Sequence, residues 1–353
     1  MHPDVILPAD RLKQFGTALF LAADVPQDEA EIVSASLVDA NLCGHDSHGV
    51  MRIPSYVRQL QKGELVAGAK LEPESETGAL LAADAGFGFG QVQTVRLIER
   101  LLPKAKEQGL ACGTMLNCGH VGRLGEWVER VAREGLAGLI AVNDNGVLQC
   151  VAPPGGTEPR ISTNPIALGV PTGEEPLVLD ISTSAVANGK IQVARLAGTE
   201  CPAGWLQDAE GNPTADPNAR FTKPAGTILP MGGEQGYKGF GLGLLFDILI
   251  GGLSGGLCPP APPSAPGTNN VLLLLWNPEL FAGSAHFLGE ADKLIDYVRN
   301  CRRKAGVDAI RLPGDRSAKT RRERLTEGIP LDAGTWQSLQ SLANELAIDV
   351  PSV

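Results

Sequence analysis

The stretch GHDSHGVMRIPSYV, Gly44 to Val57, packs two histidines, an aspartate, a serine and an arginine into its first nine residues, in a chain with 5 histidines in all. Three chemistries suit such a cluster, and each needs different companions. A metal site would use His45 and His48, three residues apart, with Asp46 between them. A catalytic zinc normally takes a third protein ligand, and the remaining histidines, His2, His120 and His286, lie in no metal motif. A nucleophile would be Ser47, yet HDSHG follows a helical segment and lacks the G-x-S-x-G elbow that follows a strand. The third chemistry is proton transfer beside a carboxylate anchor. His48 and Arg52 are four apart and point the same way if that turn is helical, with regular helix restarting at Pro54. An imidazole titrates near neutral pH and exchanges a proton with a carbonyl or hydroxyl oxygen. A guanidinium grips a carboxylate with two parallel hydrogen bonds. Together they suit a 2-hydroxy or 2-oxo acid. The plain alternative makes His48 a capping or core histidine and Arg52 a surface ion pair.

The elements around these residues follow from periodicity. Residues 9–23 and 27–43 carry apolar side chains at helical spacing (Leu12, Phe15, Leu19; then Ile32, Ala35, Leu37, Val38), and acidic residues at 28–31 suit a helix start. The cluster follows the second helix, and a helical SYVRQLQKG leads to a linker near 63–75. Buried strands are expected at 78–85, 110–117, 135–143 and 176–182, with helices at 91–108 and 124–134 between the first three. A further strand, VLLLLWN (271–277), follows the Pro-rich CPPAPPSAPGTNN (258–270), which reads as an exposed excursion. Helices at 287–305 and 332–348 close the chain. AGFGFGQV (85–92) stands where a dinucleotide fingerprint would, but G-x-G-x-x-G fails because positions 91 and 93 are Gln. A tight turn is the simpler reading, and any nicotinamide cofactor is not held in the common way.

Composition narrows the partners. With 353 residues, a formal net charge of −10 and no long basic run beyond RRER (321–324), nucleic acid and anionic membrane are poor partners and a small metabolite is the better one. The 7 cysteines include no C-x-x-C, which argues against a disulfide framework and a thiolate zinc site and suits a reducing cytoplasm. MHPDVILPADRL shows no export signal. The most apolar segment, FGLGLLFDILIGGLSGGL (240–257), carries Asp247 and lacks basic flanks, so a buried helix is expected and not a membrane span.

Six motifs taken in order carry a resemblance: DSHGVMRIPSYV, NCGHVGRLG (117–125), ISTNPIALGVP (161–171), LVLDISTSAVANGKI (177–191), LPMGGEQGYKGFGLGLLFDIL (229–249) and IRLPGD (310–315). From about residue 8 to 345 the chain resembles the type 2 malate/L-lactate dehydrogenase family, which includes ureidoglycolate and sulfolactate dehydrogenases, diketogulonate reductase and piperideine-2-carboxylate reductases. The resemblance implies an α/β, non-Rossmann fold with a mixed sheet, flanking helices and an N-terminal helical domain. It implies three domains: 8–70 plus 318–353 helical, 71–128 plus 295–317 substrate-side α/β, and 129–294 NAD(P)-binding. It further implies an NAD- or NADP-dependent oxidoreductase without a catalytic metal, working as a homodimer with active sites at the subunit interface. By position, His48 and Arg52 match the catalytic histidine and the substrate-carboxylate arginine, with Ser47 beside them. His120 matches a second histidine that some members use as acid and base, so which of His48 and His120 moves the proton stays open. The cofactor positions are Asp144, Asp180, Ile181, Ser182, Thr183, Ser184, Tyr237, Lys238, Gly314, Asp315 and Arg316. Departures are Cys118 and Gly119, where members often carry serine or asparagine, and Asp144, where a small hydroxyl is common. An acid there sits poorly against phosphate and is expected to touch ribose or the amide instead. The expected reaction is hydride transfer between nicotinamide and the 2-carbon of a small carboxylic acid. A cyclic-imine (ketimine) reductase, a non-catalytic dinucleotide-binding protein and a metal-dependent hydrolase are the alternatives.

Overall fold

The computed structural model describes residues 5–352; His2 and the first residues of the N-terminal stretch lie outside that range. A short strand β1 (Val5–Leu7) leads into α1 (Ala9–Leu21) and α2 (Gln27–Leu42). Both helices begin after a proline, Pro8 and Pro26, whose fixed φ suits a helix start. After the chemical cluster come α3 (Ile53–Lys62), β2 (Glu72–Glu76), β3 (Leu80–Asp84), α4 (Gly90–Gln108), β4 (Leu110–Cys118), α5 (Leu124–Arg133) and β5 (Ala137–Asn143). Next are β6 (Ile166–Val170), β7 (Leu177–Ile181), α6 (Asn188–Ala197), three two-residue strands β8 (Leu206–Gln207), β9 (Pro213–Thr214) and β10 (Thr227–Ile228), then α7 (Tyr237–Ser254). The chain closes with β11 (Asn269–Trp276), α8 (Ser284–Arg299), α9 (Asp315–Glu327), β12 (Ile329–Leu331) and α10 (Ala333–Glu345).

The main sheet has seven strands in the order β2-β3-β4-β11-β5-β6-β7, and it is mixed: β3 and β4 pair in parallel while the other neighbours are antiparallel. The apolar run of β11 takes the centre, between β4 and β5, because Val271, Leu272, Leu273 and Leu275 need cover on both faces. One face packs against α4 and α5, where Leu97, Leu101, Met115 and Trp127 are fully buried. A second core joins α1, α2 and α3 to the start of α4, β12 and α10, through Phe15, Phe20, Tyr56, Phe89 and Leu339. There β1 pairs with β12 and ties the two ends of the chain together. The sheet takes β2, β3 and β4 from the stretch expected as the substrate-side α/β domain and β5, β6, β7 and β11 from the stretch expected as the NAD(P)-binding domain, and the expected boundaries at 128/129 and 294/295 fall inside α5 and α8.

Helix α7 corrects an expectation. It covers the other face of the sheet, but only Gly239, Gly243, Asp247, Ile250, Gly251 and Ser254 are buried. A Cβ on Gly243 would lie 2.7 Å from the Thr183 hydroxyl, so the small-residue side lies against the protein and the bulky side faces out. Leu245 is 62 % exposed, Ile248 51 % and Leu253 56 %. Length and composition alone would let this helix cross a bilayer. Its inner face instead carries Asp247, whose carboxylate accepts hydrogen bonds from Asn143 (2.7 Å) and Asn164 (2.8 Å). The Pro-rich excursion is exposed or half-buried up to Gly267 and pinned at Pro266 by the Asn145 side-chain amide at 3.2 Å, while Thr268 and Asn270 are buried.

Candidate active site

Between α2 and α3 the chain makes two short 3-10 turns, Asp46–His48 and Val50–Arg52, broken at Gly49, whose ψ is −156°. His48 and Arg52 therefore do not share one helical face as the spacing predicts. The buried Asn41 sets this path: its side-chain oxygen accepts from the Val50 N–H (2.9 Å) and its amide donates to Asp46 (2.7 Å). A Cβ on Gly49 would fall 2.1 Å from that same oxygen, so a larger residue would expel the asparagine. Arg52 is held by its Nε, which donates to the Ser47 carbonyl at 2.7 Å. Both of its terminal nitrogens are left over, and no carboxylate pairs with them among the described residues.

His120 arrives from the loop after β4. Two glycines of AGFGFGQV, Gly88 and Gly90, serve here. Gly88 accepts a hydrogen bond from the Gly119 N–H at 2.9 Å, and a Cβ on Gly90 would lie 2.3 Å from the Gly119 oxygen and 2.4 Å from that of His120. Two backbones cross where only glycine fits, and the crossing carries His120 to His48. The two imidazoles stack with centroids 5.4 Å apart and planes 25° apart. Ser47 Oγ lies 3.0 Å from His48 Nδ1, and the Tyr56 hydroxyl lies 2.6 Å from His120 Nδ1. Gln91 donates its amide to the same hydroxyl at 3.0 Å. Burial, then the neighbouring Arg52 charge, lowers His48 to about 3 and holds His120 well below the usual histidine range. Both rings are neutral at pH 7. Burial pushes Tyr56 up to about 12, so its hydroxyl keeps its proton.

This geometry combines two uncharged imidazoles with an unpaired guanidinium. Residues 7–340 match the family described as malate/L-lactate dehydrogenase. The chain belongs to that family. Hydroxycarboxylate dehydrogenase B of Escherichia coli strain K12 is 34 % identical over 345 residues, covering 96 % of this chain and 94 % of the relative. The solved malate dehydrogenase of Pyrococcus horikoshii superposes with a TM-score of 0.89 at 30 % identity, covering 99 % of this chain and 98 % of that one. The delta1-piperideine-2-carboxylate reductase of Pseudomonas syringae does so with a TM-score of 0.82 at 31 % identity, covering 96 % and 100 %. The family expected from the six motifs is thus the family found, and the mixed α/β fold agrees with it.

Within this malate/L-lactate dehydrogenase frame the expected cofactor residues fall at several places. Asp180 and Gly314 line one cavity of about 280 Å³ with His45, Ser317, Arg321 and Arg322. The Asp180 carboxylate accepts the Gly125 N–H at 2.7 Å, where acid suits the start of α5. Ile181, Ser182, Thr183 and Ser184 follow as β7 ends. The hydroxyls of the last three already donate to backbone carbonyls of Ser184, Thr163 and Val186, so they shape the loop and are not free donors. Thr183 also accepts the Met231 N–H at 3.0 Å, beneath the start of α7 where Tyr237 and Lys238 are exposed. Asp144 opens the turn after β5, accepts the Leu148 N–H at 2.9 Å, and is raised by burial to about 6. Asp315 accepts the Leu312 N–H at 2.7 Å, and Arg316 is exposed at the start of α9. Among the described residues, no three His, Cys, Asp or Glu side chains are grouped to hold a metal ion. Sequence reasoning gave His45 a part only in the metal reading, yet it lines the cavity, with its Nε2 3.4 Å from the Ser317 hydroxyl. It also missed Tyr56 and Gln91, which at helical spacing in apolar surroundings look like ordinary core.

Proposed function

We propose that the chain transfers a hydride between a nicotinamide cofactor, NAD or NADP, and the 2-carbon of a small 2-hydroxy or 2-oxo carboxylic acid. The observation that carries this reading is Arg52, a partly buried guanidinium with two free nitrogens beside two neutral imidazoles. That is a receptor for a carboxylate whose neighbouring carbon bears an oxygen needing a proton. Arg52 grips the carboxylate, and His48 or His120 exchanges the proton with the C2 oxygen. Because the Arg52 charge helps hold both rings neutral, an incoming carboxylate offsets that charge and favours the protonated imidazole. Proton donation is thereby tied to the presence of the anionic substrate.

The donor set beside His45 fits the cofactor. The positive φ of Gly314 (89°) at the start of α9, the Arg322 guanidinium and the Ser317 hydroxyl suit a ribose and phosphate, while Arg321 in the same lining is already paired with Asp39. A space of about 280 Å³ suits part of a dinucleotide and not the whole. Asp180, Gly314, Tyr237 and Lys238 would hold the cofactor, which supplies or accepts the hydride when bound. The exposed apolar side of α7 is the contact we assign to a second copy, giving a homodimer. Cytoplasmic residence is supported by seven cysteines that all stand as free thiols.

A second reading rests on the likeness to the Pseudomonas syringae reductase: Arg52 would anchor equally well a carboxylate next to a C=N bond. The test follows reduced-nicotinamide absorbance with NADH and NADPH against a panel of 2-oxo acids and cyclic imino acids. Oxidation with a 2-oxo acid is expected. Turnover with imines alone transfers the assignment to a ketimine reductase, and oxidation by no substrate overturns the proposal.

A further inference from the structure

The Tyr56 hydroxyl sits between two nitrogens and owns one proton. Gln91 donates its amide to that oxygen at 3.0 Å, so the hydroxyl proton goes to the other neighbour, His120 Nδ1, at 2.6 Å. A proton on Nδ1 as well would leave the Tyr56 hydroxyl without an acceptor in a fully enclosed place, where an unmet donor is costly. We propose that Gln91 and Tyr56 are positioning residues that set where His120 carries its proton, holding the imidazole as the Nε2–H tautomer. The proposal rests on the reading of His120 as a ring that faces the reacting oxygen.

The consequence is a constraint on proton transfer. In the arrangement described, Nε2 donates a hydrogen bond but cannot accept a proton, and losing its own would leave an imidazolate. The base form (bare Nε2) and the acid form (both nitrogens protonated) each carry a proton on Nδ1. Tyr56 must then accept from Nδ1 and give its proton to Gln91, which requires the Gln91 amide to present its oxygen. That oxygen, Gln91 Oε1, is buried and has no partner. The orientation described, with the Gln91 amide N–H on the Tyr56 oxygen, is the resting one, and turning the amide over loses no hydrogen bond, since it exchanges one unpaired atom for another. The amide of Gln91 is therefore the element whose reversal lets His120 act as acid or base.

The intact protein labelled with 15N-histidine tests this through two-bond 15N–1H spectra at pH 8, with His120 assigned by its loss in His120→Gln. The expected spectrum shows His120 protonated on Nε2 and bare on Nδ1. Tyr56→Phe is expected to release the preference, drawing the two nitrogen shifts toward each other. Gln91→Glu places an acceptor against the hydroxyl and is expected to move the proton to Nδ1. If Gln91→Glu does not fold, Tyr56→Phe decides alone. In turnover with a 2-oxo acid, Tyr56→Phe should lower kcat about 10²-fold with KM within about twofold, since Arg52 is untouched. A parent spectrum with Nδ1 protonated, or a tautomer unchanged by the folded variants, overturns the proposal. Failure of the hydride-transfer reading would instead appear as absent turnover with the tautomer result intact.

Discussion

Arg52 is fixed by one nitrogen to the Ser47 carbonyl and presents two others to no partner in the described chain. A partly buried charge without a partner in the chain is ready to take one from a ligand. Losing a bidentate, charge-assisted contact costs about 3 kcal/mol, so Arg52→Met should lower kcat/KM for a 2-oxo acid about 100-fold, mainly through KM. Steady-state kinetics check this, and unchanged values would mean that another group anchors the carboxylate. At this scale the sequence was readable where residue type alone signals chemistry. His48, Arg52 and His120 announce themselves because few core roles call for them. Tyr56 and Gln91 do not, since a tyrosine and a glutamine at helical spacing pack equally well as structure, and only the hydrogen bonds to His120 distinguish them.

The elements have one task, to bring residue 48 and residue 120 face to face. They do it through the crossing of the 85–90 glycine loop over the loop at 119–120. A methyl group on Gly90 would meet backbone oxygens at 2.3 and 2.4 Å, and backbone cannot yield as a side chain can. Gly90→Ala should cost about 2–4 kcal/mol of stability in urea melts. Full stability would show that the crossing has slack. Periodicity found most of the helices and the buried strands within a few residues, but not α6 or α9. Helix α9, DRSAKTRRERLTE, buries no residue, so there is no apolar stripe to read. Strand β6 lay inside ISTNPIALGVP, where Pro165 hid its start. The glycine-rich α7 misled for the opposite reason: an apolar run with no preferred side gives no sign of which side faces the protein.

At the scale of the whole molecule, the outer side of α7 is an apolar helix face left exposed. Leu242, Leu244, Leu245, Ile248, Leu249 and Leu253 all lie on it. Contiguous apolar faces of this kind mark interaction sites. With α7 resting on Thr183 and the Asn143–Asp247 pair, a second copy seated there would brace the loops expected to hold the cofactor. Leu245→Glu should convert a dimer to a monomer in sedimentation and reduce turnover at least tenfold, with the fold kept by circular dichroism. A monomeric parent protein would contradict the assignment.

The central claim, that these residues serve hydride transfer at the 2-carbon of a carboxylic acid, meets its most direct test in the loss of reduced-nicotinamide absorbance when a 2-oxo acid is added. Stoichiometric oxidation of NADH or NADPH with formation of the matching 2-hydroxy acid is the predicted result. Absence of oxidation across 2-oxo acids and imino acids with both cofactors would contradict it.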